Sequence, residues 1–182
     1  MIPYPSGLKS GSRKKSTVEG ETKMNHPIRR KDRELTDPVE IDRIFEKAVY
    51  GHLGLCDGGE PYVLPMNFGI SKGAIYLHCA SEGRKLDVAR RNPRACFQVE
   101  TDAELLPSPA PCGWGVAYRS AMVFGALSVV ESEEEKAEAL TAMMKKCAGE
   151  DFSQTFPPER LASVTVLRLD PDGRTGKARL PA

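Results

Sequence analysis

Two tight turns between residues 57 and 73 constrain the fold more than any other feature of this 182-residue chain. Asp57-Gly58-Gly59 and Ser71-Lys72-Gly73 both carry glycines free to take positive φ, and period-two patterns flank both. Residues 49–55, 62–70 and 74–79 therefore read as three strands joined by hairpins. Successive hairpins build an antiparallel meander, not the alternating βα units of a parallel sheet.

The rest of the chain adds strands and a few helices. Asp37 is a good N-cap, Pro38 suits the first helical position and Glu40 can complete a capping box. Ile41, Ile44, Phe45 and Ala48 follow at helical spacing, so the pattern predicts a helix over 38–48. Ser81 is the expected cap of a short helix over 82–91, which Asn92-Pro93 ends because proline disfavours helical geometry in the residue before it. Residues 95–101 read as a fourth strand, 104–114 as a Pro-rich loop and 118–130 as a long fifth strand. Ser132 caps a helix reaching about Cys147, with Ala137, Leu140, Ala142, Met143 and Met144 as apolar positions. A loop through Phe156-Pro157-Pro158 and a sixth strand over 163–169 complete the pattern. The expectation is a mainly β fold: a small antiparallel barrel with three helical attachments.

Charge divides the chain unevenly. The whole carries +1, but residues 1–23 hold Lys9, Arg13, Lys14, Lys15 and Lys23 against Glu19 and Glu21. This Ser/Gly/Lys-rich opening lacks apolar periodicity, so residues 1–28 read as a disordered basic arm before a single domain over 29–179. Met24 is an alternative start. A near-neutral domain argues against nucleic acid or a membrane surface as partner. With no secretory h-region and no apolar run of membrane length, a cytoplasmic location is expected. Cys56, Cys79, Cys96, Cys112 and Cys147 are odd in number, widely spaced and without a CxxC pair, so neither a disulfide framework nor a zinc site is supported.

Three groups carry candidate chemistry. Arg84 and Lys85 fall in the first turn of the 82–91 helix, where unpaired N–H groups and the helix dipole favour an anion. Phosphate is the natural guest, and a solvated basic face is the alternative. Tyr118-Arg119-Ser120 opens a strand with a guanidinium and a hydroxyl that would complete a phosphate cage, or simply solubilise an edge. His78 ends the third strand within reach of the helix start; it reads as catalytic or as structural. His52 reads as a core or interface residue, and His26 lies in the flexible approach. No Ser-His-Asp order, carboxylate pair or GxGxxG stands out.

Taken in order, Tyr62-Val63-Leu64-Pro65-Met66-Asn67-Phe68-Gly69, Ile75-Tyr76-Leu77-His78-Cys79-Ala80, Gly83-Arg84-Lys85, Asn92-Pro93 and Tyr118-Arg119-Ser120 form a recognisable set. The set resembles the FMN-binding split barrels related to pyridoxamine 5′-phosphate oxidase, most of all the branch containing the nitroimidazole-resistance proteins, over about residues 29–177. The resemblance implies a six-stranded split barrel that forms a homodimer with two FMN sites at the interface. It implies that Tyr62, Val63, Leu64, Pro65 and Met66 border the isoalloxazine through backbone groups, and that His78 and Cys79 line the flavin. It gives the phosphate to Arg84 and Lys85, with Ser120 as a further polar contact beside Arg119, and it makes His78 the residue that handles substrate.

The chain departs from true pyridoxamine phosphate oxidases. Their carboxy-terminal Arg-x-His is absent, and Gly173-Arg174-Thr175-Gly176-Lys177 stands there instead. Thr175-Gly176-Lys177 resembles the nitroimidazole-resistance branch. Lys177 is either a flavin-phosphate contact or part of a plain tail. The implied function is an FMN-dependent oxidoreductase that reduces a small organic molecule, nitroaromatic in the specific version, with electrons from NAD(P)H or another donor. The rival is a non-catalytic flavin or haem binder acting as carrier, store or sensor, with His78 or His52 as axial ligand.

Overall fold

The computed structural model describes residues 28–181, so almost all of the expected basic arm, Met24 and His26 lie outside the described residues. Helix α1, Pro38–Lys47, begins as its sequence demands: the Asp37 carboxylate accepts the Val39 N–H at 2.9 Å. Strands β2 (Gly51–Asp57) and β3 (Glu60–Met66) form the first hairpin, with Gly58 and Gly59 at φ 63° and 103°. Strands β4 (Phe68–Ser71) and β5 (Ala74–Cys79) form the second, with Lys72 and Gly73 at φ 49° and 81°. Positive φ at both central positions matches the twist of an antiparallel pair.

The expected single strand over 62–70 is two strands, broken at Asn67. The break decides the architecture. The longest strands are β6 (Arg94–Leu106), β7 (Gly115–Val129) and β8 (Thr165–Arg179), and the sheet order is β3-β2-β6-β7-β8-β5-β4. A two-residue β1 (Glu34–Leu35) pairs with β8 outside this path, giving eight antiparallel strands. β3 and β4 are the two ends of the path, yet one residue joins them. The sheet must curl until its edges meet, closed there by a covalent link and not by a ladder: a split barrel.

Two helices seal the barrel at opposite ends. α1 inserts Ile41, Ile44 and Phe45 near the far end of β6, where Lys47 pairs with Asp102. α2, Arg84–Arg91, inserts Leu86, Val88 and Ala89 near the start of β6. Between them lie Leu53, Phe68, Leu77, Phe97, Val99, Leu167 and Leu169, each at most 1% exposed. Phe68 holds the centre, edge-on to Phe45 at 6.3 Å and to Phe97 at 5.1 Å. α3, Glu133–Ala148, is capped by Ser132 and covers the outside of β4 and β5, burying Tyr76, Ala139 and Met143 in a second cluster. β5 is thus buried on both faces, which is why residues 74–77 lose their alternation.

Four further expectations change. Gly83, at φ 120°, is the N-cap of α2, so Ser81 is not the cap and the helix starts two residues later than expected. β6 and β7 run on as a ribbon past a bulge at Thr101–Glu104, where Asp102 takes φ 57°, so the Pro-rich loop shrinks to 107–114. α4, Pro158–Ser163, stands where Pro157-Pro158 suggested only loop, because proline at the first helical position lacks an N–H that would have no acceptor there anyway. β8 extends ten residues past the expected end, held by β7 and β1. No described helix is long and apolar enough to cross a membrane.

Candidate functional site

The basic turn lies where the barrel is split. β4 pairs with β5 only through Leu77, so the end of β5 is open on that side. α2 starts over this opening, and Tyr62, Leu64 and Cys79 pack half-buried onto the core beneath it. With Gly83 as cap, the Arg84 and Lys85 N–H groups lead the helix without intrahelical acceptors.

The two cations are placed differently. The Arg84 guanidinium lies over the Tyr62 ring, 4.4 Å from its centroid, and donates through Nε to Asp57 Oδ2 at 3.0 Å. Arg91, two turns along α2, donates to Asp57 Oδ1 at 2.7 Å. These two hydrogen bonds, Arg84 first, hold the Asp57 carboxyl below its ordinary range. Lys85 has no carboxylate partner among the described residues; its ammonium lies 3.1 Å from Met66 Sδ. Burial pushes the Cys79 thiol up, and the nearby Lys85 charge partly opposes that. A half-buried ammonium set against a thioether suits an incoming anion. The donor set thus fits the phosphate end of a flavin.

Strand alternation separates other expected residues. Ile75, Leu77 and Cys79 face the barrel core, whereas Tyr76 faces α3, and His78 follows Tyr76 onto that outer face. The exposed imidazole therefore points away from Lys85. Val63 and Pro65 are exposed on the outer face of the edge strand β3, so only their backbone borders the opening.

Arg119 and Ser120 sit at the other end of the barrel. Arg119 Nε is 3.7 Å from Asp102, and Ser120 pairs across the sheet with Glu100 and Lys177. Ser120 is seven residues along β7 from Leu127, whose N–H bonds Pro93 at the foot of α2. That is roughly 23 Å of strand. One protomer does not bring them to Arg84 and Lys85. His52 lies 3.7 Å from Glu100 through Nδ1 and edge-on to Tyr50, and pairs across the sheet with Pro65.

Asp57 and Arg91 join the site without having been singled out, and Met66, expected to border the ring through its backbone, meets Lys85 through its thioether. Asp57 was legible only as a turn residue, and Arg91 only as a cation suited to a helix end. A cleft of about 720 Å3 opens elsewhere, lined by Asp42, Phe45, Ile70, Ile75, Val123 and Arg174 among others. It shares no residue with the basic turn, and Asp42 already holds Arg174 at 2.7 Å. Among the described residues no cluster of His, Cys, Asp or Glu could hold a metal.

The chain belongs to the pyridoxamine 5′-phosphate oxidase family, whose profile matches residues 37–178. A candidate 5-nitroimidazole antibiotic resistance protein from Bacteroides thetaiotaomicron shares 29% identity and superposes with a TM-score of 0.71, over 80% of this chain and 86% of that one. The flavocytochrome Anf3 from Azotobacter vinelandii superposes at 0.76 with 20% identity, covering 88% and 75%. The FAD and haem binding protein from Mycobacterium smegmatis superposes at 0.73 with 18% identity, covering 81% and 74%. The last two likenesses show the fold alone. No curated protein matches the chain.

Proposed function

We propose that the protein is an FMN-dependent oxidoreductase that reduces a small organic substrate, nitroaromatic in the specific version, with electrons from NAD(P)H or another donor. The observation that carries this reading is Lys85: a partly buried cation at a helix start, without a carboxylate partner among the described residues, at the open seam of a split barrel. Arg84 and Lys85 grip the phosphate, and the β3 edge from Tyr62 to Pro65 borders the ring system through its backbone. Cys79 lies against the bound molecule as a small apolar contact. When bound, the flavin supplies the redox chemistry, while the chain binds it, orients it and excludes water.

Family members are commonly dimeric. A homodimer places Arg119 and Ser120 of the second protomer against the phosphate that Arg84 and Lys85 hold in the first. His78, exposed on the outer face of β5, gives a proton to substrate or anchors it. The location proposed is the cytoplasm.

A second reading rests on the exposed His78 imidazole, and one fold neighbour is named an FAD and haem binding protein. In it the exposed His78 imidazole is an axial ligand and the protein is a carrier or sensor. The absorption spectrum of the purified protein separates the two. Oxidised flavin bands at ~370 and ~450 nm support the oxidoreductase, and a Soret band supports haem. Anaerobic NAD(P)H should bleach the flavin bands; persistent colour would contradict the reductase. Lys85→Gln should weaken FMN about tenfold or more while leaving riboflavin, which lacks the phosphate, unchanged. Equal losses for both flavins would remove Lys85 from the phosphate site.

A further inference from the structure

Arg84 is not a free cation. Its Nε is bonded to Asp57 at the β2–β3 turn, and Asp57 is shared with Arg91, one oxygen to each guanidinium. Asp57 is only 23% exposed at its side chain, against 56% for Arg84 and 63% for Arg91, so the carboxylate is the better shielded member. The Tyr62 ring lies under the Arg84 guanidinium, 4.4 Å from its central carbon, and helps to hold it there. A phosphate arriving at Lys85 would use the same guanidinium fork, since carboxylate and phosphate oxygens are interchangeable acceptors for it. The carboxylate also repels a second anion placed beside it.

From this geometry we infer that Asp57 is a built-in competitor for the ligand's phosphate and sets the affinity of the site for phosphorylated ligands. The inference rests on the flavin-phosphate reading of Arg84 and Lys85. As phosphate binds, Arg84 exchanges one anionic acceptor for another. Arg91 keeps Asp57 paired throughout, so the exchange strands no charge. Two residues outside the phosphate contact thereby act in opposite directions. Asp57 holds Arg84 back, and Arg91 draws Asp57 away from Arg84. A plain clamp between hairpin and helix would make the two residues act alike, because losing either would loosen α2.

The test is a fluorescence titration of wild type, Asp57→Asn and Arg91→Gln with FMN and with riboflavin, with thermal melts showing that each variant is folded. Asp57→Asn should tighten FMN about two- to fivefold, the scale of an exposed ion pair. Arg91→Gln should weaken FMN by a similar factor. Riboflavin should bind all three proteins alike. Loss of FMN affinity in both variants, or an unchanged affinity in Asp57→Asn, overturns the inference and leaves the clamp. A variant that shifts riboflavin as much as FMN overturns it too. If the wild type itself does not prefer FMN to riboflavin, the phosphate reading fails first, and that result is distinct from the others.

Discussion

At the scale of single residues, the outcome turns on where alternation sends neighbouring side chains. His78 and Cys79 are adjacent in sequence and face opposite sides of β5. His78→Asn should therefore leave FMN affinity within about twofold while lowering turnover by two or more orders of magnitude, the scale of a lost general acid. Matched titration and steady-state kinetics check both halves; a large loss of FMN affinity would put the imidazole against the flavin instead. Tyr76, 2% exposed, donates to Glu135 Oε1 at 2.9 Å, and burial followed by this hydrogen bond pushes its pKa from 10.0 up to about 12. The native state thus holds the phenol proton more tightly than the unfolded chain. The resulting stability is intact below pH 10 and lost as pH rises toward 12. Tyr76→Phe should flatten that part of the stability profile measured by urea unfolding.

At the scale of elements, close approach decides what a segment tolerates. α3 lies so near β4 that a Cβ on Gly69 would come within 2.6 Å of the Met143 nitrogen. Gly69→Ala should cost about 1–3 kcal/mol, the range of an overpacked contact, since helix backbone cannot yield as a side-chain tip would. Denaturant unfolding should show a lower midpoint at unchanged slope. Across the same contact, the Lys146 ammonium donates to Phe45 O and Glu46 O at 2.6 and 2.9 Å, closing the carboxyl end of α1 from α3. Burial, the larger influence, holds its pKa below the ordinary lysine value. α1 and α3 were both legible from caps and periodicity: Asp37 and Ser132 each accept the backbone N–H expected of them. α2 was legible except for its cap, because Ser81 satisfies the usual rule while Gly83 alone suits a φ of 120°. α4 was missed because the proline pair that starts it also reads as a breaker.

For the whole molecule, the hairpins of residues 51–79 could be read from their turns, since a two-residue loop with positive φ is a local property. What separates β3 from β4 is not local. Asn67 interrupts an apolar run without any turn signature, and only the pairing partners show that the strand ends one edge of the sheet and begins the other. The sequence by itself settled the mainly antiparallel content, the helix faces and the cationic start of α2. These follow from backbone freedom, side-chain period and helix dipole, which act within a few residues. Tertiary structure alone decided that the barrel splits beside that helix, that Asp57 answers Arg84 and Arg91, and that Ser120 lies at the far end. Such contacts join residues 27 or more positions apart, and burying one shared core, not any local preference, brings them together.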